Sequence, residues 1–273
     1  GRWVKARKGR IGEADATDYI LCKGEGFSLD LTLSTREELT QAVWAQIPKA
    51  NGVASVCGYL GDVEGNLDYL HRYVELSKVL DWADPGKTKL ALKNDCEFCF
   101  GGDAPDKGIG DIRVAKLLVD LKERYPRRVH LLIGNRDANK LRFAAELSEE
   151  ALKDQAVLTD KGFPYWVDAD KRVTPADFLA KVGGENTAAN RLRWMLKETM
   201  GADGAFERRK VELEMLLKRE VTEEEVVESF RESVDPGGKE HTMLRYLELG
   251  QLGHIFGKSL FVHGGVSEEN VGT

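Results

Sequence analysis

The sequence predicts an α/β protein: a sheet core flanked by helices, with a helical insertion before the last strand. Three observations predict it. Short apolar runs, each closed by a glycine-containing turn, occur at 53–60, 97–100, 129–133 and 259–262. Amphipathic helical patterns separate the first three, at 66–80 and 109–125. A long block, 139–256, is mostly helical in pattern and separates the third run from the fourth. Strand–helix–strand alternation of this kind places helices against the faces of a sheet.

In order along the chain, residues 1–33 are weakly periodic and read as an extended arm with a short strand at DYILC (18–22). A capping box from Thr35 to Glu38 predicts a helix over 36–47. The expected division is an N-terminal arm and helix over 1–50 and a core domain over 51–273. In the 109–125 helix, Ile112, Ala115, Leu117, Leu118 and Leu121 make an apolar face. Within the helical block, Thr174-Pro175 is an N-cap followed by proline at the first helical position. Gly183-Gly184 and Gly201 are expected helix stops, and Thr222 to Glu225 is a second capping box.

Of the 273 residues, 42% are hydrophobic and 32% charged, the balance of a soluble globular protein with a sizeable core. A net charge of −6 argues against a surface that tracks nucleic-acid phosphates. The start, GRWVKARKGR, holds five Lys or Arg and is expected to be a solvated arm; a partner-binding arm or part of a targeting segment are the alternatives. No apolar run reaches the length of a membrane span. Four cysteines in a chain this long imply no disulfide framework, and so an intracellular, reducing compartment, cytoplasmic or organellar. A start at Gly1 and an end at Thr273, soon after the last apolar run, suggest a processed protein or a fragment incomplete at its C-terminus.

In open α/β sheets, ligands bind beyond the carboxyl ends of the strands. Each apolar run here ends in residues with ligand chemistry: Gly61-Asp62-Val63-Glu64-Gly65-Asn66, then Gly101-Gly102-Asp103-Ala104-Pro105-Asp106-Lys107-Gly108, then Gly134-Asn135-Arg136-Asp137, then His263-Gly264-Gly265. An Asp in one such turn is ordinary turn chemistry. Four in order, offering carboxylate, amide and imidazole, suit a site for two divalent metals. Such a pair clamps a phosphoryl group for in-line attack.

The blocks GDVEGN, GGDAPDKG, GNRD and VHGG resemble the GDxHG, GDxxDRG, GNHE/D and HGG blocks of the calcineurin-like metallophosphoesterases, which include the PPP-type Ser/Thr protein phosphatases. The order is the same, and the resemblance covers about 53–140 and 257–268, with GDVEGN and GNRD as the forms of a variant subfamily. It implies that family's sheet core. It also implies metal-dependent hydrolysis of a phosphate ester or phosphoanhydride by a metal-bridging hydroxide. The phosphorylated substrate would be a protein or a small molecule. Two divalent ions are implied (Mn, Fe, Mg or Zn), with Mn favoured by the oxygen-rich set. By position, Asp62 would bind the first metal, Asp103 would bridge, and Asn135 and His263 would bind the second. Lys107 stands at the place of a phosphate-binding arginine, and Asp106 at that of the Asp that orients the catalytic group of the GNH block.

Three departures stand against this pattern. Glu64 replaces a metal-binding histidine, Arg136 replaces the general-acid histidine, and the family's final Gly-His segment has no counterpart before Thr273. The two exchanges add one negative and one positive charge, which leaves the site nearly balanced. Glu64 still offers oxygen to a hard metal. Arg136 is no proton donor but can clamp phosphate oxygens and offset transition-state charge. The alternative is that Arg136 pairs with Glu64 or Asp106 and fills a vacant metal position. The chain would then be an inactive domain, a structural or regulatory subunit docking through its basic arm or helical insertion.

Other signals are weaker. Cys96 and Cys99 in CEFC would point to opposite strand faces and read as core cysteines. GQLGHIFGKS (250–259) lacks the first glycine of a phosphate-binding loop and is expected to be a helix end and turn. His71 is expected on a helix surface and His130 as a satisfied core side chain. His254 is expected to be able to approach the site from the helical block, and His241 has no assigned role. Neither a Cys-x5-Arg loop nor a Gly-x-Ser-x-Gly elbow occurs.

Overall fold

The computed structural model describes residues 2–7, 18–22, 56–154 and 168–265. The helix expected at 36–47 lies outside them. Strands β1 (Arg2–Arg7) and β2 (Asp18–Cys22) pair antiparallel, and DYILC is the second of them. The core is a four-stranded, all-parallel sheet of β3 (Val56–Leu60), β6 (Cys96–Phe100), β7 (Val129–Leu132) and β8 (Gly250–Gln251), in that spatial order. Between β3 and β6 run helix α1 (Leu67–Leu76) and a small hairpin, β4 (Leu80–Trp82) with β5 (Leu90–Leu92). Helix α2 (Asp111–Arg124) joins β6 to β7.

Two expectations are corrected here. The 259–262 run, β10 (Ser259–Val262), is not in the parallel sheet; it pairs antiparallel with β9 (Gly253–Phe256). The place beside β7 goes to β8, two residues long and too short to show a strand pattern. Residues 250–259 begin at the expected helix end, Gly250 capping the helix that stops at Leu249, and reach the last strand through a turn at Gly257, with β8 and β9 between them. The 66–80 helix stops at Leu76, because Ser77 Oγ takes the amides of Val79 and Leu80 (3.1 and 3.0 Å) and turns the chain into β4.

The helical block runs as α3 (Asn135–Asn139), α4 (Arg142–Glu146), α5 (Glu149–Lys153), α6 (Pro175–Val182), α7 (Ala188–Trp194), α8 (Ala205–Leu217), α9 (Glu223–Glu232) and α10 (Thr242–Leu249). Its ends follow local chemistry. Thr174 caps α6 with Pro175 at its first position, and Gly183, at φ 68°, stops it. Thr222 and Glu225 form the capping box of α9. Gly201 (φ 61°) turns the chain after a π-helical extension of α7, Met195–Thr199.

The period-two alternation of β6 separates two environments. Phe98 and Phe100 face the helices, where Phe98 meets Tyr73 of α1 and Phe100 meets Tyr246 of α10 edge-on. Tyr246, fully buried, donates its hydroxyl to Leu132 O at 2.6 Å. Val114, Ala115, Leu117, Leu118 and Leu121 of α2 are buried, while Ile112, placed by pattern on that face, is half-buried at its edge. Glu97 and Cys99 lie on the opposite face, which the β9–β10 hairpin covers: Tyr59 stacks on Phe261 at 5.3 Å, and Glu97 meets His254. Cys96 and Cys99 thus lie on opposite faces, as expected. No helix among the described residues is long and apolar enough to cross a membrane.

Phe98, with none of its surface exposed, anchors the helix-side core. Phe98→Ala is expected to cost about 3–5 kcal/mol, and Leu76→Ala, at a residue 82% exposed, less than about 0.5 kcal/mol. Urea unfolding followed by circular dichroism checks the difference; equal losses would contradict this packing.

Candidate metal centre

The turns after β3 and β6 are laced together beyond the strand ends. Gly101 N donates to Leu60 O (2.7 Å), Asp62 N to Gly102 O (3.0 Å) and Glu64 N to Asp103 O (2.9 Å), and Lys107 N returns to Glu64 O (2.7 Å). This lacing holds Asp62 (φ 52°), Glu64 (49°), Asp103 (57°) and Asp106 (122°) at positive φ. Each such non-glycine residue costs of order 1–3 kcal/mol and persists only where its surroundings impose it. They gather at the carboxyl end of the sheet, where α/β folds bind ligands. Glycine is required where the turns meet: a Cβ on Gly102 would press on Gly134 and on His263, and one on Gly134 would collide with Asp103.

The third turn is tied in by Asp137, a residue to which sequence reasoning gave no role. Its buried carboxylate accepts the amides of Asp103 (2.9 Å), Ala104 (2.9 Å) and Gly134 (2.8 Å). Burial pushes the Asp137 carboxyl up to about 6, against the opposing pull of those three amides. Asp103 then receives the Arg136 amide on Oδ1 at 2.9 Å, and burial likewise raises its pKa.

Asp62, Asp103 and His263 converge, their ligand atoms all within 4.8 Å of one another. Asn135 joins them, its Oδ1 3.1 Å from His263 Nε2, which is also 3.4 Å from Asp103 Oδ1. His263 Nδ1 lies 2.8 Å from the carbonyl of Gly101. A carbonyl only accepts, so Nδ1 carries the proton, and a neutral ring turns its Nε2 lone pair on two oxygens. A cation or an added proton between them relieves that contact. The donor set of carboxylates, amide oxygen and imidazole therefore fits one divalent ion, with the second His263 nitrogen anchored as in metal-ligating histidines.

Glu64 does not join this group. Its Oε1 sits 2.7 Å from Arg136 Nε and 2.8 Å from Lys107 Nζ. Arg136 Nη1 reaches Asp106 Oδ2 (3.3 Å) and the carbonyls of Met200 and Gly201 (both 3.2 Å), and Nε is 3.5 Å from Asp103 Oδ2. Burial opposes the Arg136 charge, but Asp106, Glu64 and Asp103 outweigh it and hold the guanidinium above its ordinary pKa. The guanidinium is thus turned inward among carboxylates. Lys107, with 54% of its side chain exposed, is the cation of this cluster that reaches solvent.

Asp106 touches Arg136 and is itself fully buried. Lys140 Nζ lies 2.7 Å from both of its carboxylate oxygens, and its amide donates to Asp111 Oδ1 at 2.9 Å. Neither Lys140 nor Asp111 was marked by any motif. Lys140 lies just past the short α3, and Asp111 opens α2. His254 is not in this centre; it bonds Glu97 on the hairpin face. His71 stays on α1 against Trp82, ring centroids 4.9 Å apart.

One segment of the chain is similar to a protein phosphatase. Over 47 residues it is 40% identical to serine/threonine-protein phosphatase PP2A-like PPG1 of Saccharomyces cerevisiae, covering 17% of this chain and 13% of that protein. No family model matches the chain.

Asp137→Asn keeps the shape but sets an NH2 group against backbone donors. It is expected to cost about 2–4 kcal/mol, from buried amides left unpaired, in urea unfolding. A loss below about 1 kcal/mol would remove Asp137 from its role as the tie between the turns.

Proposed function

We propose that the chain is a metal-dependent phosphoesterase that hydrolyses a phosphate ester or phosphoanhydride of a protein or small molecule. The observation that carries this reading is the convergence of Asp62, Asp103, Asn135 and His263 at strained strand-end turns. The short similarity to a protein phosphatase supports it. A divalent ion held by these four residues would polarise phosphoryl oxygens and acidify a water. Manganese is the favoured ion. Asp62, its side chain 70% exposed, is the ligand open to solvent. Lys107 would steer the phosphate, while Glu64 holds the lysine in place. Arg136 would act as a fixed positive charge behind the site, braced by Asp106. It offers no proton to the leaving group, so anhydrides and aryl phosphates, whose leaving groups need little protonation, are the expected substrates.

The ion pairs of Arg136 with Glu64 and Asp106 favour a second reading. In it the guanidinium stands in for one metal of a dinuclear pair, and the domain is a catalytically inactive structural or regulatory subunit. Its docking surfaces would be the basic N-terminal arm or the helical insertion.

Two measurements decide between them. With Mn²⁺ supplied, p-nitrophenyl phosphate is expected to be hydrolysed, with activity falling more than about a hundredfold in Asp103→Asn. Equal or absent turnover in both proteins favours the inactive subunit. Arg136→Ala leaves Glu64 with only the solvent-reaching Lys107 and Asp106 with only Lys140, and is expected to cost up to about 3–5 kcal/mol in chelator. If Glu64 can serve as a ligand, Mn²⁺ restores thermal stability to this variant more than it raises that of the parent. An equal rise in both denies Glu64 that role.

A further inference from the structure

A second group of ligand atoms lies on the hairpin face of the sheet, built by residues that the phosphoesterase reading does not use. Glu97 of β6 and His130 of β7 share that face, and His254 reaches it from β9. His130 Nε2 and His254 Nε2 both lie 3.1 Å from the same oxygen, Glu97 Oε2. The two rings are stacked, centroids 3.4 Å apart and 11° from parallel. All three ligand atoms lie within 4.8 Å of one another. The side chains are only 12%, 17% and 12% exposed for His130, Glu97 and His254.

His130, expected from sequence to be a satisfied core side chain, does have its partner in Glu97. A core hydrogen bond needs only one imidazole, however, and here two present the same nitrogen to one carboxylate oxygen. We propose that Glu97, His130 and His254 form a site for a divalent ion of the zinc class that fastens the β9–β10 hairpin to the parallel sheet.

The chemistry of the surroundings is consistent. Two imidazole nitrogens and one carboxylate oxygen are a borderline donor set, suited to zinc, cobalt or nickel and leaving a position for water or another donor. Burial drives His130 down to about 3 and His254 to about 4, so both rings are neutral, the form that ligates. Cys57 and Cys99 share the same face, but the converging ligand atoms are those of Glu97, His130 and His254.

The position of the group gives it a consequence. His254 pairs with Phe261 across the hairpin, and His263 follows two residues later. An ion that pins His254 to β6 and β7 therefore fixes the strand that delivers His263 to Asp103 and Asn135.

The test uses the full chain, stripped by chelator and titrated with Co²⁺, read by visible d–d absorption and by bound metal per chain. The Asp103→Asn background weakens the other centre, so the result does not depend on the phosphoesterase reading. In that background one cobalt is expected to remain bound. Adding Glu97→Gln is expected to weaken it by more than about tenfold, a loss that changes to residues merely orienting a ligand already reach. His254→Gln, at a hairpin position outside the buried core, is expected to do the same should Glu97→Gln not fold. Cobalt is also expected to raise the thermal midpoint of Asp103→Asn and to leave that of the added variants unchanged. An unchanged band in either folded variant, or no cobalt bound to Asp103→Asn, overturns the site.

Discussion

The carboxylate of Asp137, buried between the turns after β6 and β7, is the contact on which the rest of the centre depends. Its bonds to the amides of Asp103, Ala104 and Gly134 link two strand ends that no covalent path joins nearby. Hydrogen bonds to a charged group contribute about 1.5–3 kcal/mol each, enough to offset part of the strain in the neighbouring positive-φ residues. Asp103 is thereby aimed at His263, and Asn135 is carried to the same point. The geometry of this group thus comes from protein contacts.

Around that tie the charges are arranged in two sets. Asp62, Asp103, Asn135 and His263 leave acceptors facing one another, an arrangement that invites a cation. Glu64 and Asp106 have theirs supplied by Arg136, Lys107 and Lys140. A guanidinium among carboxylates is a permanent charge that neither dissociates nor acidifies water, and removing one partner of such a buried pair is costly. Glu64 and Arg136 therefore form a charge-balanced pair that sets a fixed cation at this end of the sheet. Whether Glu64 can leave Arg136 for an ion is the chemical question that separates the two functional readings.

The two faces of the sheet divide the labour. The helix face carries the aromatic core around Phe98 and Phe100 and supplies rigidity. The hairpin face is polar for a sheet interior, holding Glu97, His130 and His254 beneath a two-stranded lid whose next residues bring His263 to the centre. A short antiparallel hairpin is marginal alone, so its attachment to the sheet bears on how firmly His263 is held.

Much of this was legible in the residue order. Caps at Thr174 and Thr222, the stop at Gly183, the apolar face of α2 and the four strand-end turns depend on neighbours within a few positions. Local spacing therefore determined them; the candidate ligands Asp62, Asp103, Asn135 and His263 stand in those turns, and their separate places as ligands came from the family resemblance. Tertiary structure alone decided the partners. β8 became the fourth strand through pairing with β7, not through any pattern in two residues. Glu64 turned to Arg136 because the turns after β3 and β7 are both tied to the turn after β6 that lies between them. Lys140, Asp111 and Asp137 acquired their roles only when segments tens of residues apart were brought within hydrogen-bonding distance. A charged side chain in a desolvated site takes whichever opposite charge or donor the fold sets beside it, and sequence spacing carries no record of that neighbour.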